Sequence, residues 1–322
     1  MGNASLRKLA HIETISPEEL GGANVGIDAP NWLYKYVTTT TQFTSNAAYR
    51  TEGKELPNLI GVPSGLRRFF KLNIKPVFVF DGTAHEMKHG EIEERKRKRL
   101  EAGEQAREAD DKIEEAKFQA QAQFLTQTIL ETTQELFTIL DIPYGTAPRA
   151  AEAQTAVMAQ QGVVDYVISE DYDSMLFGAP RTVRKFTGSG ELEVLDLEKT
   201  LSTHGITHEE LVEIAILCGT DYNDGVDGIG PATAKKLVSE EQKTLERILE
   251  EYDAKIEESD RIRRYFLNPE YKELSAPKYP NPDVSNARQF IIGKWNIQPD
   301  EVSSYITEIE QEAEQPGLGS WT

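Results

Sequence analysis

Six carboxylates carry the chemistry that this sequence offers. Asp28 ends the apolar run Asn24-Val25-Gly26-Ile27, and Asp81 ends Lys75-Pro76-Val77-Phe78-Val79-Phe80. The run Val163-Val164-Asp165-Tyr166-Val167-Ile168 leads into Ser169-Glu170-Asp171-Tyr172-Asp173, an Asp-x-Asp pair. Glu152 opens a short helical stretch, where the helix dipole and backbone donors tolerate an anion, and Asp221 sits between a helix and a turn. Near-continuous apolar runs of this kind read as buried strands, and in an open parallel sheet the carboxyl ends of the strands line the functional crevice. Carboxylates crowded into one pocket do not all stay ionised unless a positive charge joins them. Hard divalent cations, Mg²⁺ or Mn²⁺, meet that need with oxygen ligands. Two ions about 4 Å apart would activate water and stabilise the leaving oxygen of a phosphodiester. The plainer reading makes these acids ordinary strand-end and cap residues, and spacing alone does not decide between the two.

A second feature is the glycine-rich turn Gly225-Val226-Asp227-Gly228-Ile229-Gly230-Pro231, followed by Lys235 and Lys236. Gly225, Gly228 and Gly230 let backbone N–H groups approach a phosphate without a side chain in the way. The same turn could hold a monovalent cation through its carbonyls, or be a plain link between helices. The two lysines favour contact with a DNA backbone. The histidine pair His85 and His89 reads as surface residues, and the single cysteine, Cys218, excludes an intrachain disulfide and a zinc-binding cysteine cluster.

The elements that must position these groups follow from periodicity. Strands at 24–28, 75–80 and 163–168 alternate with helices, which predicts an α/β fold with a mainly parallel central sheet flanked by helices. Helices are expected from Trp32, over 62–72 with Leu66, Phe69 and Phe70 facing inward, over 152–160, over 208–218 and over 232–237. Residues 38–58 read as a loop. Residues 88–140 lack proline and read as helical; Arg95-Lys96-Arg97-Lys98-Arg99 is the sharpest basic run of the chain. A hairpin is expected across Thr187-Gly188-Ser189-Gly190, a charged helical region over 242–265, and an irregular stretch over 268–283. Last helices fall near 285–293 and 299–310.

The chain has 322 residues, 39% of them hydrophobic, and a net charge of -19. Taken alone, that charge opposes a nucleic-acid partner. The acid is spread along the whole chain, however, as expected of a protein living in very high salt, where screening shortens the reach of each charge. No run of 18 apolar residues suggests a membrane span, the N-terminus lacks a signal-peptide layout, and a cytoplasmic, monomeric protein is expected.

Together these residues resemble the flap endonuclease family of XPG-type nucleases. The likeness spans nearly the whole chain and rests on Val25-Gly26-Ile27-Asp28-Ala29, Val79-Phe80-Asp81-Gly82, Glu152-Ala153-Gln154, Ser169-Glu170-Asp171-Tyr172-Asp173 and Leu217-Cys218-Gly219-Thr220-Asp221-Tyr222 running into the glycine turn. The acidic composition resembles a haloarchaeal member. The resemblance implies a PIN-like 5′-nuclease fold and cleavage of DNA near the junction of a displaced 5′ strand, with 5′–3′ exonuclease action as a companion activity. It implies two Mg²⁺ ions, with Mn²⁺ as a substitute. Asp28, Asp81 and Glu152 match the carboxylates of one metal site; Asp171, Asp173 and Asp221 match those of the other. Lys88 and Arg95 match basic residues that act on the scissile phosphate, and Tyr34 matches an aromatic that stacks on a base. One nuclease domain is implied over 1–310, with a helical arch at about 83–130 and a duplex-binding helix-turn-helix region at about 208–265 that binds K⁺. Residues 311–322 form a flexible tail in which Gln315, Leu318 and Trp321 have the spacing of a peptide that binds the sliding clamp, PCNA. One position departs from the pattern: where the family has a glutamate, this chain has Ala150. That keeps open a catalytically weakened DNA-junction binder, beside a related nuclease of bubbles or junctions.

Overall fold

The computed structural model describes residues 4–82, 125–188 and 190–314. Lys88, Arg95, most of the expected arch and the clamp-like residues Gln315, Leu318 and Trp321 lie outside the described residues.

A seven-stranded sheet forms the centre, in the order β1 (His11–Ile15), β9 (Leu192–Asp196), β8 (Arg181–Arg184), β7 (Tyr166–Ile168), β2 (Asn24–Asp28), β5 (Lys75–Phe80), β6 (Tyr144–Thr146). The five strands from β8 to β6 run parallel, and β9 and β1 add antiparallel pairs at one edge. Two short strands, β3 (Arg50–Thr51) and β4 (Lys54–Glu55), make a separate hairpin. The mainly parallel sheet is therefore as the apolar runs predict.

Each face of the sheet is buried, which explains the lack of clean polar alternation. Along β5, Phe78 and Phe80 point into one core, while Val77 and Val79 point into the other, the period of two that a pleated strand imposes. The phenylalanine side is covered by helices α1 (Ala29–Phe43), α3 (Asn58–Lys71), α4 (Gln127–Ile139) and α13 (Pro299–Glu314), with the short α2 (Asn46–Tyr49) beside them. The valine side is covered by α5 (Ala151–Gln160), α6 (Asp173–Leu176), α8 (His208–Cys218), α9 (Pro231–Lys235), α10 (Leu245–Glu251) and α11 (Ser259–Leu267). Helix α7 (Leu197–His204) leads into α8, and α12 (Val284–Arg288) continues as a π-helical stretch to Lys294. Gly26 lets α5 approach the sheet closely: a Cβ there would lie 3.3 Å from the Thr155 methyl.

Several elements differ from the sequence reading. Residues 38–43 continue α1 instead of looping, because Val37 and Thr40 are buried and the Thr38 and Thr41 hydroxyls donate back to carbonyls one turn earlier. Strands β1 and β6 and helix α7 were not expected; each is short, and β1 gains its pairing only from β9. The charged region 242–265 is two helices, separated at left-handed Asp253 and Glu258. The last helix runs to Glu314, past the expected start of the tail at 311. Among the described residues no helix is long and apolar enough to cross a membrane.

Candidate active site

Three parallel strands deliver acids to one end of the sheet. Asp28 ends β2 and caps α1, its Oδ1 accepting the Asn31 N–H at 3.0 Å. The Asn31 side-chain amide then donates to Asp171 Oδ2 at 3.3 Å. Asp171 lies in the turn after β7, and Asp173 opens α6 as a buried residue. Asp81 follows β5 directly. Its Oδ1 accepts the Ala151 N–H at 2.8 Å, so it does the work of an N-cap for α5 across 70 residues of chain. The residue in the capping position is Ala150, which has no side-chain oxygen to offer. Gly82 is what lets the Asp81 turn close: its N–H donates to Arg149 O at 2.7 Å, and a Cβ would fall 2.1 Å from the Ala147 carbonyl oxygen.

Glu152, one residue into α5, faces the acids after β2 and β7. Burial pushes its carboxyl well above the usual glutamate range, and the neighbouring charges of Asp171, Asp28 and Asp173 push it the same way. The Ser169 hydroxyl opposes this by donating to Glu152 Oε1 at 2.7 Å. Ser169 Oγ in turn accepts the Asp171 N–H at 3.1 Å, so buried Ser169 ties the β7 turn to α5. Asp221 comes from the loop after α8. The Tyr222 phenol, pushed upward by burial and by Tyr265, also feels both Asp221 and Asp173. These two acids therefore share one neighbour.

The turn carrying Asp171 is held from outside as well. Arg184 Nε donates to Glu170 O at 2.9 Å, its guanidinium stacks 4.1 Å from the Tyr172 ring centre, and it pairs with Glu193 at 3.1 Å. Lys35 meets Glu170 at 3.3 Å. Sequence reading missed Ser169, Asn31 and Arg184; the hydroxyl beside the Asp-x-Asp pair was the only available signal.

The donor set suits a hard divalent cation: every group is a carboxylate, and burial, with the repulsion of the neighbouring acids added to it, raises the Glu152 carboxyl. Among the described residues no three His, Cys, Asp or Glu side chains stand close enough together to hold a metal ion as they are placed. Instead Asn31, Ser169 and the Ala151 N–H share these oxygens.

The other expected residues fall on two elements. Tyr34 is half-buried on α1. In the glycine turn, Gly219 (φ 97) and Gly225 (φ 77) meet back to back, a Cβ on Gly225 lying 2.5 Å from the Gly219 nitrogen; no other residue closes that loop. Gly228 (φ 80) is open to solvent, and Gly230 caps α9 ahead of Pro231. Lys235 is half-buried at the end of α9, and Lys236 is exposed, 3.6 Å from Glu241.

With this geometry, the chain matches two family models: the XPG N-terminal domain over residues 2–102 and the XPG I-region over 141–221. The flap endonuclease 1 of Haloquadratum walsbyi is 46% identical over the full length of both chains, and that of Haloarcula marismortui is 45% identical, also over both full lengths. Among solved structures, flap endonuclease-1 from Methanococcus jannaschii is 29% identical and superposes with a TM-score of 0.75, covering 97% of this chain and 99% of its own. Fold and acidic site together define the class of PIN-like nucleases. Within that class, the chain belongs to the flap endonuclease family of XPG-type enzymes, with haloarchaeal members among its similar relatives.

Proposed function

We propose that this chain is a structure-specific 5′-flap endonuclease, with 5′–3′ exonuclease action, that hydrolyses DNA phosphodiester bonds at the junction of displaced single strand and duplex in replication and repair. The observation that carries this reading is the hydrogen-bonded chain that ties the acids together: Asn31 links Asp28 at the end of β2 to Asp171 after β7, and Ser169 links the Asp171 turn to Glu152 on α5. Asp28, Asp81 and Glu152 would hold one divalent ion, and Asp171, Asp173 and Asp221 another, Mg²⁺ by preference and Mn²⁺ as a substitute. Bound there, such ions supply the positive charge that lets water attack and the leaving oxygen depart.

The protein's own residues fix the geometry. Asn31 holds Asp28 and Asp171 to one spacing, Ser169 holds Glu152 to the Asp171 turn, and Asp81 anchors the start of α5. Tyr34 would stack on a base, while Lys88 and Arg95 in the arch would steer the scissile phosphate. The turn at Gly225, Gly228 and Gly230, with Lys235 and Lys236, would grip the duplex and hold K⁺ through its carbonyls. The domain plan would be one monomeric, cytoplasmic nuclease domain that includes the whole of α13 to Glu314, and a tail whose Gln315, Leu318 and Trp321 bind PCNA.

Ala150 supports a second reading, a junction-binding protein with weakened catalysis. A labelled 5′-flap duplex incubated with Mg²⁺ or with EDTA separates the two. Ion-dependent cutting near the junction is expected; tight binding with no turnover in either condition would favour the binder, and cutting unaffected by EDTA would reject the metal assignment.

A further inference from the structure

After α11 the chain runs without helix or strand from 268 to 283 and laces along the outer edge of the sheet. It is fixed at both ends. Near its end, the Asp283 N–H donates to Ile139 O at 3.1 Å, the Asn281 N–H donates to Asp141 Oδ2 at 3.1 Å, and Lys278 pairs with Asp141. In the middle, Leu274 lies on the edge strand β6, where a Cβ on Gly145 would fall 2.7 Å from its methyl. Near its start, Glu270 meets Arg149 Nε at 3.4 Å. The remaining contact is of a different kind. Gln154, only 1% exposed, donates through Nε2 to Lys272 O at 2.9 Å and accepts the Lys272 N–H through Oε1 at 3.0 Å. A side-chain amide thus pairs with one residue's backbone as a neighbouring strand would, across 118 residues.

Arg149 and Gln154 bracket Glu152, the one acid that α5 contributes. The residue that would have offered a second oxygen is Ala150, so the placement of the α5 start falls on Asp81 from one side and on this segment from the other. We infer that Gln154 is a positioning residue: by pairing with Lys272 it fastens the 268–283 segment to α5 and sets where Glu152 stands among the other carboxylates. The inference rests on the metal reading proposed above. It gives Gln154 a role that acts through Glu152 and touches neither DNA nor ion. Groups that hydrogen-bond a ligand directly commonly change metal binding by about 10- to 100-fold; Gln154 acts one step further out, through the α5 backbone, so its effect belongs at the lower end of that range.

The test uses the full chain and Mn²⁺, with free ion counted by its paramagnetic resonance signal, and thermal melts in parallel. Gln154→Met keeps the length of the side chain and removes both hydrogen bonds. Its Mn²⁺ affinity should fall about tenfold, with flap-DNA binding in Ca²⁺ unchanged. Glu270→Ala loosens the same end from the surface, leaves the α5 core intact, and should weaken Mn²⁺ in the same direction by less. Lys278→Ala loosens only the far end and should leave Mn²⁺ affinity at the wild-type value. Lowered melting temperature with unchanged Mn²⁺ affinity in Gln154→Met and Glu270→Ala would overturn the proposal, as would equal weakening in Lys278→Ala. Wild-type protein that takes up no Mn²⁺ would overturn the metal reading itself and the proposal with it.

Discussion

Asp171 sits where two elements meet, touched by Asn31 from α1 and by Ser169 from its own turn. Its replacement by alanine should remove a proposed ion ligand and leave the proposed DNA contacts of the glycine turn and arch in place. Cleavage of a 5′ flap should fall more than about 100-fold, beyond what loss of an outer partner costs, while titration with uncleaved flap DNA gives near-normal affinity. Near-normal cleavage by Asp171→Ala would sink the metal-site assignment. Glu152 makes a pH prediction. Its carboxyl is raised in the folded protein by burial and by three neighbouring acids. Above the ordinary glutamate range the folded state then binds more protons than the unfolded chain, so stability falls as pH rises through that window. Glu152→Gln removes this loss. In EDTA, melts across pH should show a flatter profile for Glu152→Gln than for wild type and a higher melting temperature at neutral pH; parallel profiles would refute the coupling. Added Mg²⁺ should narrow the difference by stabilising wild type more than the variant, which keeps only the acids of the other site intact.

At the scale of elements, the site depends on how β5, α5 and β7 are docked. The sharpest constraint is the turn at Asp81-Gly82, where the chain passes against the Ala147 and Pro148 carbonyls with no room for a methyl group. Gly82→Ala must push that turn outward and draw Asp81 off the α5 N-terminus. Overpacking of this kind costs about 1–3 kcal/mol, which urea unfolding would measure. Cleavage should drop further than stability accounts for, because Asp81 is displaced in the molecules that remain folded. A variant with wild-type stability and rate would mean that the turn is soft. Gly65 shows the same economy in the layer above: a Cβ there would lie 2.4 Å from the Trp32 ring, so α1, which Asp28 caps, lies as close on α3 as a bare backbone allows.

At the scale of the whole molecule, a net charge of -19 sets the conditions under which the rest operates. Unscreened carboxylates repel, so the fold should loosen at low ionic strength and tighten as KCl rises. DNA binding should remain measurable at high KCl and weaken with further salt, as counterion release requires. Circular dichroism and flap-DNA titration over one KCl series separate the two trends; a protein fully folded and most active without salt would refute the high-salt reading. The tail makes an independent prediction. If Gln315, Leu318 and Trp321 bind the clamp as proposed, the contact should be dominated by the aromatic Trp321. Deleting residues 315–322 should leave cleavage of an isolated flap unchanged and abolish stimulation by an archaeal sliding clamp. Undiminished clamp binding after the deletion would place that contact elsewhere.

What the sequence determined by itself is local and repeated. An apolar run ending in an acid means a buried strand that delivers a carboxylate to the sheet's end, and β2, β5 and β7 each do so. Thr207 with Glu210 writes a capping box, and α8 begins there; the glycine-rich link after β8 marks the hairpin to β9. The Thr-rich 38–43 stretch misled because its helix depends on buried Val37 and Thr40, a tertiary gain that overrides weak propensity. Only the tertiary structure decided the rest. Ser169 bridges to Glu152 over 17 residues, Asp81 caps α5 over 70, and Gln154 pairs with Lys272 over 118. No periodicity records such contacts, because each joins a side chain to a group that is its neighbour only after the sheet has formed. The sequence thus states which acids could act together, and the packing of α5 on the sheet decides that Glu152 is buried beside Asp28, Asp171 and Asp173, where burial first and their repulsion second raise its affinity for a proton.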